Sequence, residues 1–232
     1  MQVLDWPAGE PELDHLTSLD VNSNCATLMA GLLARTRCLK SLSWGWEYYP
    51  EAATVDFDEI IAALSHVKAT LESLQLRVEF SRHWRLYEEP NLTANVESVS
   101  SLLDFEGITK LDVPLVALAG FGAEAKSLVC SVPRNVEELS LSTGMIYQNV
   151  GWLPDLDYQW PDEGILNTIE ESFRTYRTSL PWLRRIKVID TADCCRGGEM
   201  ERVLRETSLV DGIDIEIVRD TPSPWRHYLD DI

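Results

Sequence analysis

The sequence predicts an α/β fold, a right-handed solenoid of about six to seven irregular leucine-rich repeats with a parallel sheet on its concave face. Three observations predict it. A short apolar pattern recurs along the chain, segments with helical spacing lie between its copies, and the positions between its apolar residues are polar. We expect each repeat to supply one strand and one helix, and to bury its apolar residues by stacking on its neighbours.

The recurring pattern reads apolar-x-x-apolar-x-apolar. Its last two apolar positions alternate with polar residues, as in a strand with one buried face. The six clear copies and a weaker seventh begin, in order, at Leu16, Leu39, Leu71, Ile108, Val136, Leu183 and Val210. The steps between copies range from 23 to 47 residues, so the longer steps contain insertions.

Helical segments are predicted between the copies from the spacing of their apolar residues. They cover Thr27 to Leu33, Phe57 to Val67, Val96 to Leu103, Leu115 to Val129, Ile165 to Phe173 and Met200 to Leu204. Asp56 is the expected N-cap of the second segment. Gly120 and Gly122 weaken the fourth.

The alternation of strand and helix also fits a doubly wound or barrel α/β enzyme. In those folds the central strands are covered on both faces and are apolar nearly throughout. Here the outward strand positions are polar, namely Asp20, Ser43, Gln75, Asp112, Ser140 and Lys187. The solenoid is therefore favoured. We expect one leucine-rich-repeat domain over residues 1–232, with an N-terminal cap at 1–12, repeats at 13–218 and a C-terminal tail at 219–232.

The composition is strongly acidic, since 20 Lys and Arg stand against 38 Asp and Glu and the formal net charge is −18. A surface of this charge repels phosphate backbones and anionic lipid, so nucleic acid and membranes are poor candidates as partners. The charge would attract a protein with a basic surface. The alternative is that the acidic residues only keep a large surface in solution.

Cysteine usage and the first residues indicate an intracellular protein. The five cysteines are an odd number, and no CxxC pair or Cys/His cluster occurs, which suits free thiols in a reducing compartment. The start, Met-Gln-Val-Leu-Asp-Trp-Pro, lacks the basic and apolar regions of a secretory signal. No stretch approaches the roughly 18 apolar residues of a membrane span. We expect a cytoplasmic or nuclear protein.

One stretch resembles a known family. It reads Phe105-x-x-Ile-x-x-Leu-x-Val-Pro and, after a helical segment, Val132-Pro-x-Asn-Val-Glu-x-Leu-x-Leu, and Leu71-Glu-x-Leu-x-Leu is similar. These motifs resemble the leucine-rich-repeat regions of fungal F-box-type proteins, over roughly residues 13–190. The resemblance implies a protein-binding role. No F-box fits before the first repeat, so a ubiquitin-ligase adaptor is an expected partner only if an F-box lies outside this chain.

Motifs for catalysis or cofactor binding are weak. Gly120-x-Gly122 follows a strand. A dinucleotide fingerprint has a third Gly at the position that Ala125 occupies here, and some fingerprints tolerate Ala. It also has an acidic residue about 20 residues further on, and this chain has none in a suitable place. The histidines, at positions 15, 66, 83 and 227, form no zinc pattern. The pair Cys194-Cys195 fits a turn, although a Cys and a His could still meet in space. We expect no enzyme, no metal and no cofactor.

Aromatic residues concentrate just after the strands, where parallel strands all leave the sheet at the same edge. Trp and Tyr dominate binding hot spots, and acids beside aromatic rings suit a Lys- or Arg-rich ligand. We predict a partner-binding rim formed by Trp46, Tyr48, Tyr49, Trp84, Tyr87, Tyr147, Trp152, Tyr158, Trp160, Asp155 and Asp157. The alternative is that these aromatics form small cores within the insertions. Trp44, at a ladder position, is expected to be buried.

The predicted function is protein recognition, as a substrate receptor or scaffold that binds through this rim. Two alternatives stay open. One is an acidic, inhibitor-like solenoid that sequesters a basic protein, whose binding would weaken steeply as salt rises. The other is an α/β enzyme of unknown reaction, which a closed barrel or a deep pocket with a paired nucleophile and base would favour.

Overall fold

The computed structural model of the protein describes residues 13–48, 57–80, 100–119, 128–142, 172, 176–190, 202, 206 and 212–219. Within these residues the chain is an α/β fold with seven strands: β1 Ser18–Asn22, β2 Ser41–Tyr48, β3 Ser73–Phe80, β4 Lys110–Pro114, β5 Glu138–Ser142, β6 Arg185–Asp190 and β7 Asp214–Arg219. They form one parallel sheet in the order β1 to β7, which does not close into a barrel. All seven predicted strands are present, but β7 lies two residues later than the pattern placed it, because Ile215 and not Ile213 pairs with Ile186.

The first two predicted helices are also confirmed. Helix α1, Ala26–Leu33, follows β1, and helix α2, Phe57–Leu64, follows β2 and continues as a 3-10 turn over Ser65–Val67. Helix α2 buries Phe57 and Ile60 along one face, and the acidic residues of its first turn lie at the end that favours negative charge. The chain therefore turns back over the sheet after each of these strands.

The later helical segments are shorter within the described residues. A 3-10 helix, Ser100–Asp104, precedes β4, and helix α3, Leu115–Ala119, begins where the sequence predicted. A second 3-10 helix, Leu128–Cys130, precedes β5, and residues 176–179 are helical before β6. The expected N-cap Asp56 and most of the segments predicted from Ile165 and from Met200 lie outside the described residues.

One face of the sheet is held by an apolar ladder whose members pair in register from strand to strand. The ladder consists of Leu19, Leu42, Leu74, Leu111, Leu139, Ile186 and Ile215. Its five inner members are buried, whereas those of the two outermost strands are only partly buried. Since burial of a leucine side chain contributes roughly 1.5–3 kcal/mol, this ladder fixes both the pairing and the register of the strands.

The same backbone hydrogen bonds join consecutive strands at their N-terminal edge. The carbonyl of Lys40 accepts the N–H groups of Glu72 and Ser73, and the carbonyl of Glu72 accepts those of Thr109 and Lys110. Equivalent pairs of bonds reach the carbonyls of residues 17, 109 and 137. Each step along the sheet thus begins with the same local geometry.

The ladder makes a graded prediction for stability. Leu139→Ala should lower the free energy of unfolding by about 2–5 kcal/mol, because it leaves a cavity in a closed core. Leu19→Ala, at a partly buried position of the edge strand, should cost less than half as much. Urea denaturation measures the free energy of unfolding of both variants. Equal losses of stability would contradict a core that is fully buried only in the middle strands of the sheet.

Two glycines predict opposite responses to the same substitution. A Cβ on Gly107 would lie 2.9 Å from the carbonyl oxygen of Leu71, whereas a Cβ on Gly31, in the exposed part of α1, meets nothing within 4 Å. Gly107→Ala should therefore destabilise by about 1–3 kcal/mol, and Gly31→Ala should stabilise by up to about 1 kcal/mol through helix propensity. Thermal melts of the two variants should shift in opposite directions, and shifts of the same sign would contradict this packing.

Candidate functional site

The second face of the sheet is polar, and its side chains also align in register. The first polar row comprises Ser18, Ser41, Ser73, Lys110, Glu138, Arg185 and Asp214, and the second comprises Asp20, Ser43, Gln75, Asp112, Ser140, Lys187 and Glu216. All fourteen are exposed or partly buried, in contrast to the ladder. The polar face therefore presents a continuous array of side chains across the whole sheet.

A groove runs over this polar face from β2 to β7. It has a volume of about 390 Å³, and side chains of both polar rows line it. Its shape differs from an enclosed pocket, because its floor is a sheet surface.

The β2–β4 part of the groove floor is organised by a short hydrogen-bond chain. The hydroxyl of Ser43 donates to Oε1 of Gln75 at 3.1 Å, and Nε2 of Gln75 donates to Oδ2 of Asp112 at 2.7 Å. These cross-strand pairs hold the amide and the carboxylate in fixed orientations. Because their orientations are already fixed, these two side chains could form hydrogen bonds to a bound chain without losing further conformational freedom.

Two ion pairs lie in the first polar row, in the part of the sheet from β4 to β7. Lys110 pairs with Glu138 at 3.2 Å, and Nε of Arg185 donates to Asp214 at 2.9 Å. The hydrogen bond from Arg185 to Asp214 raises the pKa of Arg185, with help from the charges of Asp214 and Glu138. Exposed pairs of this kind contribute little stability, so their main effect is to fix the positions of the charges.

Ser140 lies at the centre of the polar face and has a distinctive environment. Its Oγ is buried and, among the described residues, no atom accepts from it or donates to it. In register it stands between Asp112 on β4 and Lys187 on β6.

A longer bridge closes the β1 side of the polar face. Nη2 of Arg77, on β3, donates to Oδ1 of Asp20, on β1, at 2.9 Å and so spans β2. The residue of β2 in register with Arg77 is Gly45, and the side chain of Asn22 fills the space that a Cβ there would need. The groove therefore begins beyond this bridge, at β2.

The two polar rows carry only a small part of the net charge of the protein. They hold five acidic and three basic side chains. Most of the net charge of −18 therefore lies elsewhere in the chain.

The structure revises one residue of the predicted rim. Trp46 lies within β2, is 7% exposed, and packs against Trp44 with ring centroids 5.9 Å apart and planes tilted by 36°. It is a core residue, because β2 extends past the sequence pattern and places residue 46 on the same face as Leu42 and Trp44. Trp44 is buried, as predicted, and its Nε1 donates to the carbonyl of Ser23 at 2.9 Å.

Of the remaining rim residues, one lies within the described part of the chain. Tyr48 is the last residue of β2. The other predicted rim residues lie outside the described residues: Tyr49, Trp84, Tyr87, Tyr147, Trp152, Tyr158, Trp160, Asp155 and Asp157. The prediction that they bind a partner stays a prediction.

Other reactive side chains are dispersed. The described part of the chain holds no group of three or more His, Cys, Asp or Glu that could bind a metal ion. Cys25, Cys38 and Cys130 are exposed free thiols. Cys194, Cys195 and the Gly120-x-Gly122 loop fall outside the described residues. Among the described residues, no helix has the length and apolar character needed to cross a bilayer.

Comparison of the chain with protein-family models, with curated proteins and with solved structures found no match. The class that the fold and site define is an α/β protein with an open, sequentially ordered parallel sheet and a polar groove along one face.

Proposed function

We propose that this protein is a leucine-rich-repeat solenoid that recognises another protein through the polar face of its sheet. The observation that carries the proposal is the open polar face itself, whose two rows run in register over seven strands. In doubly wound enzymes both faces of a parallel sheet are covered by helices, and the central strands are apolar on both sides. Among the described residues the two polar rows stay exposed or partly exposed, so this face is available to a partner.

Three further observations support the repeat architecture. The strands follow one another in the sheet in chain order. Neighbouring strands are joined at their N-terminal edge by equivalent hydrogen bonds. Helices α1 and α2 contact each other as β1 and β2 do. In a solenoid each repeat contacts its neighbours in this way, and the stacked repeats bury one continuous core.

The dimensions of the groove favour a segment of a protein chain as its ligand. From β2 to β7 the groove crosses five strand spacings, or about 24 Å at ~4.8 Å each. An extended chain covers ~3.3–3.6 Å per residue, so about seven residues would lie along it. The fixed amide of Gln75 and the ion pairs of the first row could each contact such a segment.

The partner class follows from the resemblance and from the charges. Similarity to the repeat regions of F-box-type proteins supports a substrate receptor or scaffold in the cytoplasm or nucleus, without enzymatic activity. Sequestration of a basic protein is the second candidate, and the net charge of −18 favours it. Recognition in the groove, whose net charge is small, predicts binding that depends only weakly on salt, whereas sequestration by the acidic surface predicts a steep dependence.

A blocking substitution tests the groove. Ser140→Tyr places a large side chain on the groove floor at a strand position that tolerates aromatics. Ala62→Tyr adds the same side chain at an exposed site on α2, on the other side of the sheet. We expect wild type and Ala62→Tyr to capture the same proteins from lysate, and Ser140→Tyr to lose them while its thermal melt is unchanged. Quantitative mass spectrometry measures the difference.

Retention of every captured protein by folded Ser140→Tyr would contradict the groove as the recognition surface. Loss in both variants would also contradict it, because the added tyrosine would then act regardless of the groove. The salt series on wild type then separates a receptor from a charge-driven inhibitor.

A further inference from the structure

Two residues of the second polar row carry a charge that no ion pair neutralises. Asp112, on β4, accepts from Nε2 of Gln75 through Oδ2, and its Oδ1 has no hydrogen-bond partner among the described residues. Lys187, on β6, forms neither a hydrogen bond nor an ion pair with any residue that the structure describes. Both side chains are half-buried and line the groove. A ligand in the groove therefore meets one anion and one cation that the fold leaves unpaired.

The register places these two residues two strands apart in one row. Asp112 pairs with Ser140 on β5, and Ser140 pairs with Lys187 on β6. Neighbouring strands lie ~4.8 Å apart, so two strand spacings are about 9.6 Å. The short side chain of Ser140, whose Oγ is buried, is the only one of this row between them. The two charges thus follow one another along the groove with no large side chain of the row to separate them.

The neighbouring charges favour a ligand that carries both signs. The four charged side chains of the first polar row are paired with one another. In the second row Glu216 follows Lys187 on β7 and is exposed, and no ion pair joins the two. An acidic ligand would meet Asp112 and Glu216 on the two sides of Lys187, whereas a basic ligand would meet Lys187 itself. A ligand with a base over Asp112 and an acid over Lys187 satisfies both residues.

The distance between the two charges matches the repeat of a polyproline II helix. This helix rises ~3.1 Å per residue with three residues per turn, so residues three positions apart lie on the same side, about 9.3 Å from each other. In a β-strand the side chains on one side repeat every ~6.6–6.8 Å, which matches neither one strand spacing nor two. A polyproline II segment across the sheet would bring every third residue over every second strand, namely β2, β4 and β6. The residue over β2 would face the uncharged Ser43.

We propose that the groove binds a polyproline II segment of a partner protein that has a basic and an acidic residue three positions apart, the base on Asp112 and the acid on Lys187. This inference rests on the proposed function, because it names the kind of segment that the groove recognises. The Lys or Arg of the segment would donate to Oδ1 of Asp112, and Nζ of Lys187 would donate to the carboxylate of the segment. Proline-rich chains already populate this helix before they bind, so the segment loses little conformational entropy.

Five labelled twelve-residue peptides with capped ends test the spacing, the charges and the conformation. The first is proline with one Lys and one Glu three positions apart, and the second has the same composition with Lys and Glu two positions apart. Both are made in the two charge orders, so that either direction of the chain across the strands is sampled. The third and fourth carry two Lys or two Glu three positions apart, and the fifth replaces the prolines of the first with glycine.

Fluorescence anisotropy measures the binding of these peptides to wild type and to the groove variants Asp112→Asn and Lys187→Gln. The controls are Glu106→Gln and Lys68→Gln, each of which removes one exposed charge outside the groove. Far-ultraviolet circular dichroism checks that each variant is folded.

We expect the first peptide, in at least one charge order, to bind wild type about fivefold more tightly than the other four. Asp112→Asn and Lys187→Gln should each weaken this binding about fivefold, and the two controls should leave it unchanged. Equal affinity of the two spacings would overturn the proposal. So would tightest binding of the peptide with two Lys, which the net charge of the protein favours, or binding that neither groove variant alters.

Absence of binding by every peptide would also overturn this proposal. If Ser140→Tyr nevertheless lost the proteins captured by wild type, the groove would remain the recognition surface and only this class of ligand would be wrong. The two proposals therefore fail separately.

Discussion

The packing of one apolar residue against its counterpart on the next strand is the interaction on which the rest of the structure depends. Because Leu42, Leu74, Leu111 and Leu139 pair in register, neighbouring strands cannot slip without exposing their buried face. The same register aligns the polar residues on the opposite face. The groove is therefore a direct consequence of the core, and its side-chain pairs are set by the apolar ladder.

The fold constrains the residue types of the apolar ladder but leaves those of the polar face largely free. Ladder positions must be apolar, and in the described strands they are. The polar face and the outward turn positions only need to tolerate solvent, so their residue types carry information about binding. Asp112 and Lys187, in the second polar row, both occupy such positions.

The sequence predicted the strands well because the alternation of apolar and polar residues along a strand can be recognised from neighbouring residues alone. It predicted the polar positions for the same reason. It could not show that Gln75 bonds to Asp112, since that pair is 37 residues apart and depends on register. Trp46 was misplaced because the pattern stops at Trp44, although residue 46 has the parity of a buried position. Trp182 is an aromatic residue at a turn position that faces solvent. The apolar pattern does not include this position and therefore did not predict its exposure.

Amine labelling of the native protein tests the central claim, that one face of the sheet is sealed and the other is open to solvent. Lys110 and Lys187 lie on the polar face, whereas Lys40 and Lys68 lie outside the groove and are solvent-accessible. An open face predicts that Lys110 and Lys187 are modified in the folded protein at rates comparable to those of Lys40 and Lys68, as read by peptide mass spectrometry. Modification of Lys187 and Lys110 only after unfolding would show that the face is covered and would contradict the account.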